Sequence, residues 1–465
     1  MDVTKTNKKH DMVHFGGYSY RKDRERKNHV TWRCAQAGCK GRASTPVQYG
    51  AGIEPEVTQG HSHAPDPAKL SILKAKEEVV GRALTTHAPP RRLVQDALQG
   101  ATDEVTARVG SAPFLRQAIN RARRASAGHP RAPSSAQAMV IPDSLKSTHL
   151  GDPFVLSEAV PGCPHRAVIF GTEESVAWLE AADHWLADGC FDVAPECFLQ
   201  LYTVHASRGG FVFPCVYVLM QSKSEQNYDG VWARLKELCP GLSPTTVLTD
   251  FESAARNSLK RAFPNASLGG CFFHLGQSVW RKVQNLGLRE AYLGSEELRT
   301  SIKMMTAVAF LPPDEVVAGF EALQASPHYV EAAAPIYDYF EDTYIGRPVG
   351  GGGRRAPRYP VESWNAYVRL EDGAPRTNNN VEAWHQAFQA SLSCSHPTPW
   401  LLIEALRREE SLQRARYNGM IAGENPRKKR KYAAVDSRLK LLVQTRQQRG
   451  VVEFLRGVSY NIVVG

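Results

Sequence analysis

The 465-residue chain has little that marks an exported or membrane-embedded protein. No stretch approaches the ~18–20 uninterrupted apolar residues a membrane span requires. The N-terminus, MDVTKTNKKHD, lacks the apolar run of a signal peptide. Cysteine is sparse: there are nine, scattered except for the Cys34/Cys39 pair, and they form no secreted disulfide framework. These absences predict a soluble protein of a reducing, intracellular compartment, with no membrane partner. The glycine run at 350–353 lacks the order of strand, glycines, Lys and Ser/Thr that makes a phosphate loop, so it carries no nucleotide chemistry. Internal repeats and long low-complexity tracts are not evident.

What is present points to nucleic acid. The chain is too long for one core, and 42% apolar residues are enough to bury two or three. The formal charge of +10 is concentrated: residues 1–50 carry 11 Lys/Arg against 4 Asp/Glu, and Arg427, Lys428, Lys429, Arg430 and Lys431 form an unbroken cationic run. Clustered positive charge suits phosphate contacts made with release of counterions. The remainder is near neutral, which suits a core with an acidic site of its own.

Periodicity predicts short strands between residues 14 and 63, and a helical, basic connector from 65 to about 142, with helices near 69–80, 92–98 and 113–124. FLRQAINRARR, in the last of these, has no acidic residue; DNA contact and a solvated face are both open. From Asp183 to Leu286 the pattern is three extended runs, a helix over 228–238, the strand TTVLTD, a helix over 252–263, the strand SLGGCFF and a helix over 275–283. That order is the one an α/β RNase H-like fold requires. Residues 287–372 read as a helical insertion ending in the Gly/Pro-rich loop GRPVGGGGRRAPRYP. A helix from about Asn380 places Val381, Trp384, Phe388 and Leu392 on one face and Glu382, His385, Gln386 and Gln389 on its neighbour. The expected domains are 12–67, 68–142, 143–286, 287–372, 373–422 and a tail at 423–465, whose end, VVEFLRGVSYNIVVG, reads as a short strand.

Two thiols and two imidazoles, Cys34, Cys39, His61 and His63, make up the ligand set of a closed tetrahedral Zn²⁺ site. A unit this small would gain stability from such a metal. The segments YSYRKD, TWRCAQAGCKGRAST and GHSHAP together resemble the FLYWCH-type zinc finger, with Tyr18 and Tyr20 departing from the family's usual aromatic start. The departure is expected to bear on DNA contacts more than on zinc. Arg21, Lys22, Arg24, Arg26, Lys27 and Arg33 are the candidate phosphate contacts, with a solvated basic loop as the alternative.

Three further motifs carry carboxylates: DGCFDVAP with Asp188, VLTDFES with Asp250 and RTNNNVEAWH with Glu382. Phosphoryl transfer on DNA needs hard oxygen ligands, from separate elements, around divalent ions. Asp188 lies in line with Leu186 and Cys190 on one side of the pleat, a costly place for an unpaired charge. Asp250 also reads as a helix N-cap, and Glu382 as a first-turn acid facing the helix dipole. Asp192, Glu252 and Glu362 are rival ligands.

The stretch from about Asp183 to His396 resembles the transposase domain of MULE elements, the Mutator-like DNA transposons, with Cys190 where Thr is more usual. The resemblance implies a DDE triad of Asp188, Asp250 and Glu382 holding Mg²⁺ or Mn²⁺ in an RNase H-like fold. It implies a role for Cys271 and His274 of CFFH beside the site, with His274 touching the processed strand; a buried cysteine with a hydrogen-bonded histidine is the competing account. As zinc ligands the pair is short by two, so a second zinc site is not expected.

The expected function is binding of element ends and metal-dependent cleavage and strand transfer of double-stranded DNA by a homo-oligomer. The alternative is a domesticated DNA-binding regulator without activity. The run at 427–431 resembles a nuclear localisation signal, implying an import receptor and a nuclear setting.

Overall fold

The computed structural model describes residues 1–5, 11–50, 52–86, 88, 90–110, 112–126, 128, 130–351, 353–371, 377–392, 394–426 and 430–464. They fall into two compact units, Met1–Pro130 and Arg131–Gly465. Of the basic run, Arg427, Lys428 and Lys429 lie outside the described residues, while Arg430 begins a helix.

The first unit starts as an antiparallel meander in which each strand pairs with the next: β1 (Asp2–Lys5), β2 (Asp11–Phe15), β3 (Tyr18–Glu25), β4 (His29–Cys34), β5 (Arg42–Pro46) and β6 (Glu56–Gln59). Gly16 and Gly17 both take positive φ between β2 and β3, the conformation a tight two-residue hairpin demands. The buried apolar core beneath the sheet is small: Val13, Tyr20, Val30, Trp32 and Ala43. Four helices follow: α1 (Ala68–Thr85), α2 (Pro90–Leu98), α3 (Asp103–Arg108) and α4 (Ala112–Ser126). Their own core includes Ile72, Val79, Leu93, Val94, Leu115 and Ile119. The basic helix is therefore half-buried, and Arg123 directs its guanidinium onto the carbonyls of Ala83, Thr86 and Ala88 at 3.0, 2.9 and 2.8 Å. It satisfies acceptors left open at the end of α1.

The second unit is built on a mixed seven-stranded sheet. Its strands are β7 (Val155–Ser157), β8 (Ala167–Phe170), β9 (His184–Cys190), β10 (Gln200–Arg208), β11 (Phe211–Met220), β12 (Thr246–Thr249) and β13 (Ser267–Gly270), in the spatial order β13-β12-β9-β10-β11-β8-β7. β9, β10 and β11 are antiparallel neighbours, whereas β12 and β13 run parallel to β9. The crossovers are α6 (Glu225–Leu238) and α7 (Ser253–Ala262), after α5 (Glu173–Glu180), whose Thr172 and Ser175 form a capping box. One face of the sheet packs Trp185, Tyr202, Trp232 and Phe263. The other face packs Phe170, Leu201 and Leu219 against Phe388, Trp400, Ile403 and Leu406 of two later helices.

A third core is helical. α8 (Phe272–Asn285), α9 (Arg289–Gly294), α10 (Glu296–Ala307), α11 (Val316–Gln324), α12 (Ala334–Phe340) and α13 (Tyr367–Glu371) gather around Phe310, Phe320, Phe340 and Trp364. The Gly/Pro-rich loop contains a minimal hairpin, β14 (Pro348–Val349) with β15 (Gly353–Arg354). α14 (Asn379–Leu392) and α15 (Pro399–Ile421) return to the sheet, and α16 (Arg430–Gln444) and α17 (Val451–Ser459) join the helical core. The last segment is thus a helix and not the strand its valines suggest. Phe454, Leu455 and Val458 are fully buried on one side of it, and Tyr292 donates to the Val464 carbonyl at 2.7 Å.

Candidate metal-binding and acidic sites

In the first unit the ligand atoms of Cys34, Cys39, His61 and His63 all lie within 4.8 Å of one another. Cys34 ends β4, and its Sγ meets His63 Nε2 at 3.2 Å; Cys39 Sγ meets His61 Nδ1 at 3.5 Å. The Cys39 thiol is lowered to about 6, chiefly by the backbone N–H groups of Ser62 and Gly41, which favours the thiolate. The outer nitrogens are also held. The Tyr20 hydroxyl meets His61 Nε2 at 2.7 Å, and His63 Nδ1 lies 2.9 Å from the Ala64 carbonyl. Tyr18 stacks flat on His61 with ring centroids 3.7 Å apart. The two tyrosines thus orient the histidines of the cluster, so the departure from the family's aromatic start also touches the ligand set.

The basic candidates differ in availability. Arg21, Arg24, Arg26, Lys27 and Arg33 are exposed, and Arg21 stands directly opposite Arg33 across β3 and β4. Like charges so placed repel, and an anion between them relieves the repulsion. Lys22 is engaged by Glu25 and lies over the Tyr49 ring.

In the second unit strand register brings the acids together. Thr249 pairs with Ala187, so the residue after each, Asp250 and Asp188, falls at the same level on neighbouring parallel strands. Thr249 also pairs with Gly270, which sets Cys271 beside Asp250. All three emerge at the carboxyl ends of parallel strands, next to the point where chain order reverses across the sheet, the usual place for a site in an open α/β sheet. Glu382 arrives from the first turn of α14. Asp188 is 8% exposed, and its carboxyl is pushed up to about 7 by burial first, then by the charge of Asp250, with Glu382 adding; the Gly189 N–H and the Asn378 amide oppose the rise. Burial also raises Glu382. Among the described residues, no Lys or Arg forms an ion pair with any of these acids.

A polar chain, missed in the sequence, runs from this cluster into the sheet. His385 Nδ1 lies 3.9 Å from Asp188 Oδ2, and its Nε2 lies 3.2 Å from Thr203 Oγ1. That hydroxyl donates to the Asp188 carbonyl at 3.2 Å and meets buried His205 Nε2 at 2.9 Å. Burial lowers His385 to about 4, leaving it neutral at physiological pH. The signal was present: Thr203 and His205 are polar positions inside the otherwise apolar strand LQLYTVHAS, and His385 follows Glu382 by three.

Cys271 and His274 are not at the end of a strand. β13 stops at Gly270, Cys271 caps α8, and His274 lies in its first turn. The pair has a third neighbour: Cys271, His274 and Glu382 offer donor atoms within 4.8 Å of one another. The rival acids lie differently. Glu252 binds Lys223 at 3.4 Å and accepts from the Tyr228 hydroxyl at 3.1 Å, Asp192 is exposed and accepts from Gln389 at 3.4 Å, and Glu362 is exposed.

These features define a two-unit protein with a Cys₂His₂ cluster on a small antiparallel sheet and converging carboxylates on a mixed α/β sheet. Comparison with known families adds the names: residues 184–278 match the MULE transposase domain and residues 3–63 match the FLYWCH zinc finger domain. The first match spans Asp188, Asp250, Cys271 and His274 and ends before Glu382; the second begins ahead of the predicted finger and takes in β1. The search of curated proteins returned no match. The two domains support a transposase-related DNA-binding protein, and the finger with its Cys/His cluster suggests zinc.

Proposed function

We propose that this protein is a MULE-type DNA transposase, in which the finger holds element ends and the acidic cluster of an RNase H-like core cuts and joins DNA. The observation that carries the reading is the convergence of Asp188, Asp250 and Glu382 with no Lys or Arg in ion-pair contact among the described residues. The strand order supports the fold: three antiparallel strands followed by two parallel ones on the far side of the first. Asp188, Asp250 and Glu382 would hold Mg²⁺ or Mn²⁺, which when bound supplies Lewis-acid activation of a phosphate oxygen and of a nucleophilic water or hydroxyl.

The chain's own groups do the positioning. Thr203 holds the Asp188 backbone carbonyl and His385 together, and neutral His385 stands beside the Asp188 carboxylate without cancelling its charge. Hydrolysis breaks a P–O3′ bond, leaving a 5′-phosphate and a free 3′-hydroxyl. That hydroxyl then attacks a target phosphodiester, exchanging one ester for another with no outside energy source. His274, half-buried next to Glu382, would touch the processed strand. In the finger, Arg21 and Arg33 are the leading phosphate contacts. We further propose a homo-oligomer that pairs two ends, and nuclear import through residues 427–431.

The test is cleavage and strand transfer by the full chain, with Mg²⁺ or Mn²⁺, on DNA carrying the sequences that flank its gene. Metal-dependent nicking and joining by the native protein, abolished in Glu382→Gln with DNA binding intact, is the expected result. Finger-dependent binding with no cleavage under either metal would replace this reading with that of a DNA-binding regulator.

A further inference from the structure

We propose that Cys271, His274 and Glu382 form a second transition-metal site, suited to a thiophilic divalent ion such as Zn²⁺ and distinct in donor chemistry from the all-carboxylate cluster beside it. Three elements meet here. Cys271 follows β13 at the N-cap of α8 without using its side chain as a cap, His274 lies three residues on, and Glu382 enters from the first turn of α14. The Asn378 backbone N–H donates to Cys271 Sγ at 3.0 Å and ties the approach to α14 to the sulfur.

Distances and unmet valences point to an ion. His274 Nε2 stands 3.6 Å from Glu382 Oε1. That is too long for a hydrogen bond, and close to the ~3.4 Å edge between two ligands each ~2.1 Å from a tetrahedral ion. Glu382 Oε1 and His274 Nδ1 are buried without a hydrogen-bond partner. Asn378 and Cys271 are fully buried. Buried polar atoms left unpartnered are rare, and two of them, on residues whose donor atoms cluster with one thiol, call for a ligand.

The donor set decides which ion. One sulfur, one imidazole nitrogen and one carboxylate oxygen are the three-protein-ligand pattern of zinc sites that keep a fourth position open. Mg²⁺ takes oxygen donors and gains nothing from sulfur. The inference rests on these donors and stands independently of the transposase reading. Where that reading holds, Glu382 is shared, so an ion held by Cys271 and His274 withdraws the third carboxylate from the acidic cluster.

The full chain, purified with Zn²⁺ and passed through gel filtration in excess Mg²⁺, should retain two zinc ions per chain. Cys34→Ser should remove the finger's ion and leave the other. Cys271→Ser, His274→Ala and the conservative Glu382→Gln should each remove the second ion and leave the finger's. With Co²⁺ in the Cys34→Ser chain, a thiolate-to-cobalt absorption band that vanishes on adding Cys271→Ser identifies the sulfur donor. Circular dichroism of each variant checks folding, and Glu382→Gln keeps the site testable should Cys271→Ser fail to fold. A single zinc per native chain would overturn the proposal, as would a second ion unmoved by all three substitutions.

Discussion

Replacing Asp188 with Asn should make the metal-free protein more stable at neutral and alkaline pH, the reverse of most changes at a buried polar position. The Asp188 carboxyl is pushed up to about 7 by burial and by Asp250 and Glu382. An acid whose proton binds more tightly in the folded state contributes stability at low pH and loses it as pH rises through the folded value. At ~1.4 kcal/mol per tenfold change in proton affinity, the ceiling on that loss is about 4 kcal/mol by pH 8. Asparagine keeps the shape and, through its amide oxygen, the acceptor for the Gly189 N–H at 2.9 Å, but carries no charge to desolvate. A unit the size of Arg131–Gly465 melts with an entropy of about 0.7 kcal/mol/K, so the ceiling corresponds to about 6 °C. Thermal scans in buffer free of divalent ions, followed by tryptophan fluorescence, should show Asp188→Asn melting about 3–6 °C above the native protein at pH 8. The gap should shrink toward pH 5, and Mg²⁺ or Mn²⁺ should narrow it at pH 8 by neutralising the native cluster. A variant that melts below the native protein at pH 8, or a gap independent of pH, would refute the reasoning.

The polar chain behind Asp188 makes a second prediction. Thr203→Val removes the hydroxyl that meets both His205 and His385. The unpaired ring nitrogens should cost about 1–3 kcal/mol in denaturant unfolding, with Thr203→Ser restoring most of it. Zinc removal makes a third. With only five fully buried apolar side chains under the finger sheet among the described residues, chelation should abolish hydrogen-exchange protection in β3 and β4 while that in β9–β11 persists. Full protection of β4 in the presence of chelator would mean the sheet is held without metal.

Much of the fold was legible because its signals are local. The strands β9 to β13 stand out as apolar runs between turn residues, and the face of α14 follows from Val381, Phe388 and Leu392 at helical spacing. β7 and β8 leave no signal in the sequence because a strand of three or four residues shows no period. α17 was misread because Val-rich sequence favours strand, whereas burial of Phe454, Leu455 and Val458 against the helical core favours helix, and tertiary burial outweighs propensity. At Gly270, where β13 stops short of CFFH, glycine is needed for a reason found only in space. A Cβ at Gly270 would lie 2.6 Å from the Phe251 ring and 2.8 Å from the Ser363 carbonyl, so glycine there admits the inserted segment against the strand end.

The sequence by itself determined which residues are candidates for chemistry: two thiols and two imidazoles in the finger and three carboxylates in order along the core, each marked by residue type and flanking pattern. Only the tertiary structure decided which of them meet. Asp250 stands beside Asp188 because Thr249 pairs with Ala187, and Cys271 follows because Thr249 also pairs with Gly270. Those registers are set by burying both faces of the sheet at once, a condition met by residues tens of positions apart and therefore absent from any local window. The same long-range packing brings α14 to α8, and so sets Glu382 against His274 and Cys271 as well as among the acids.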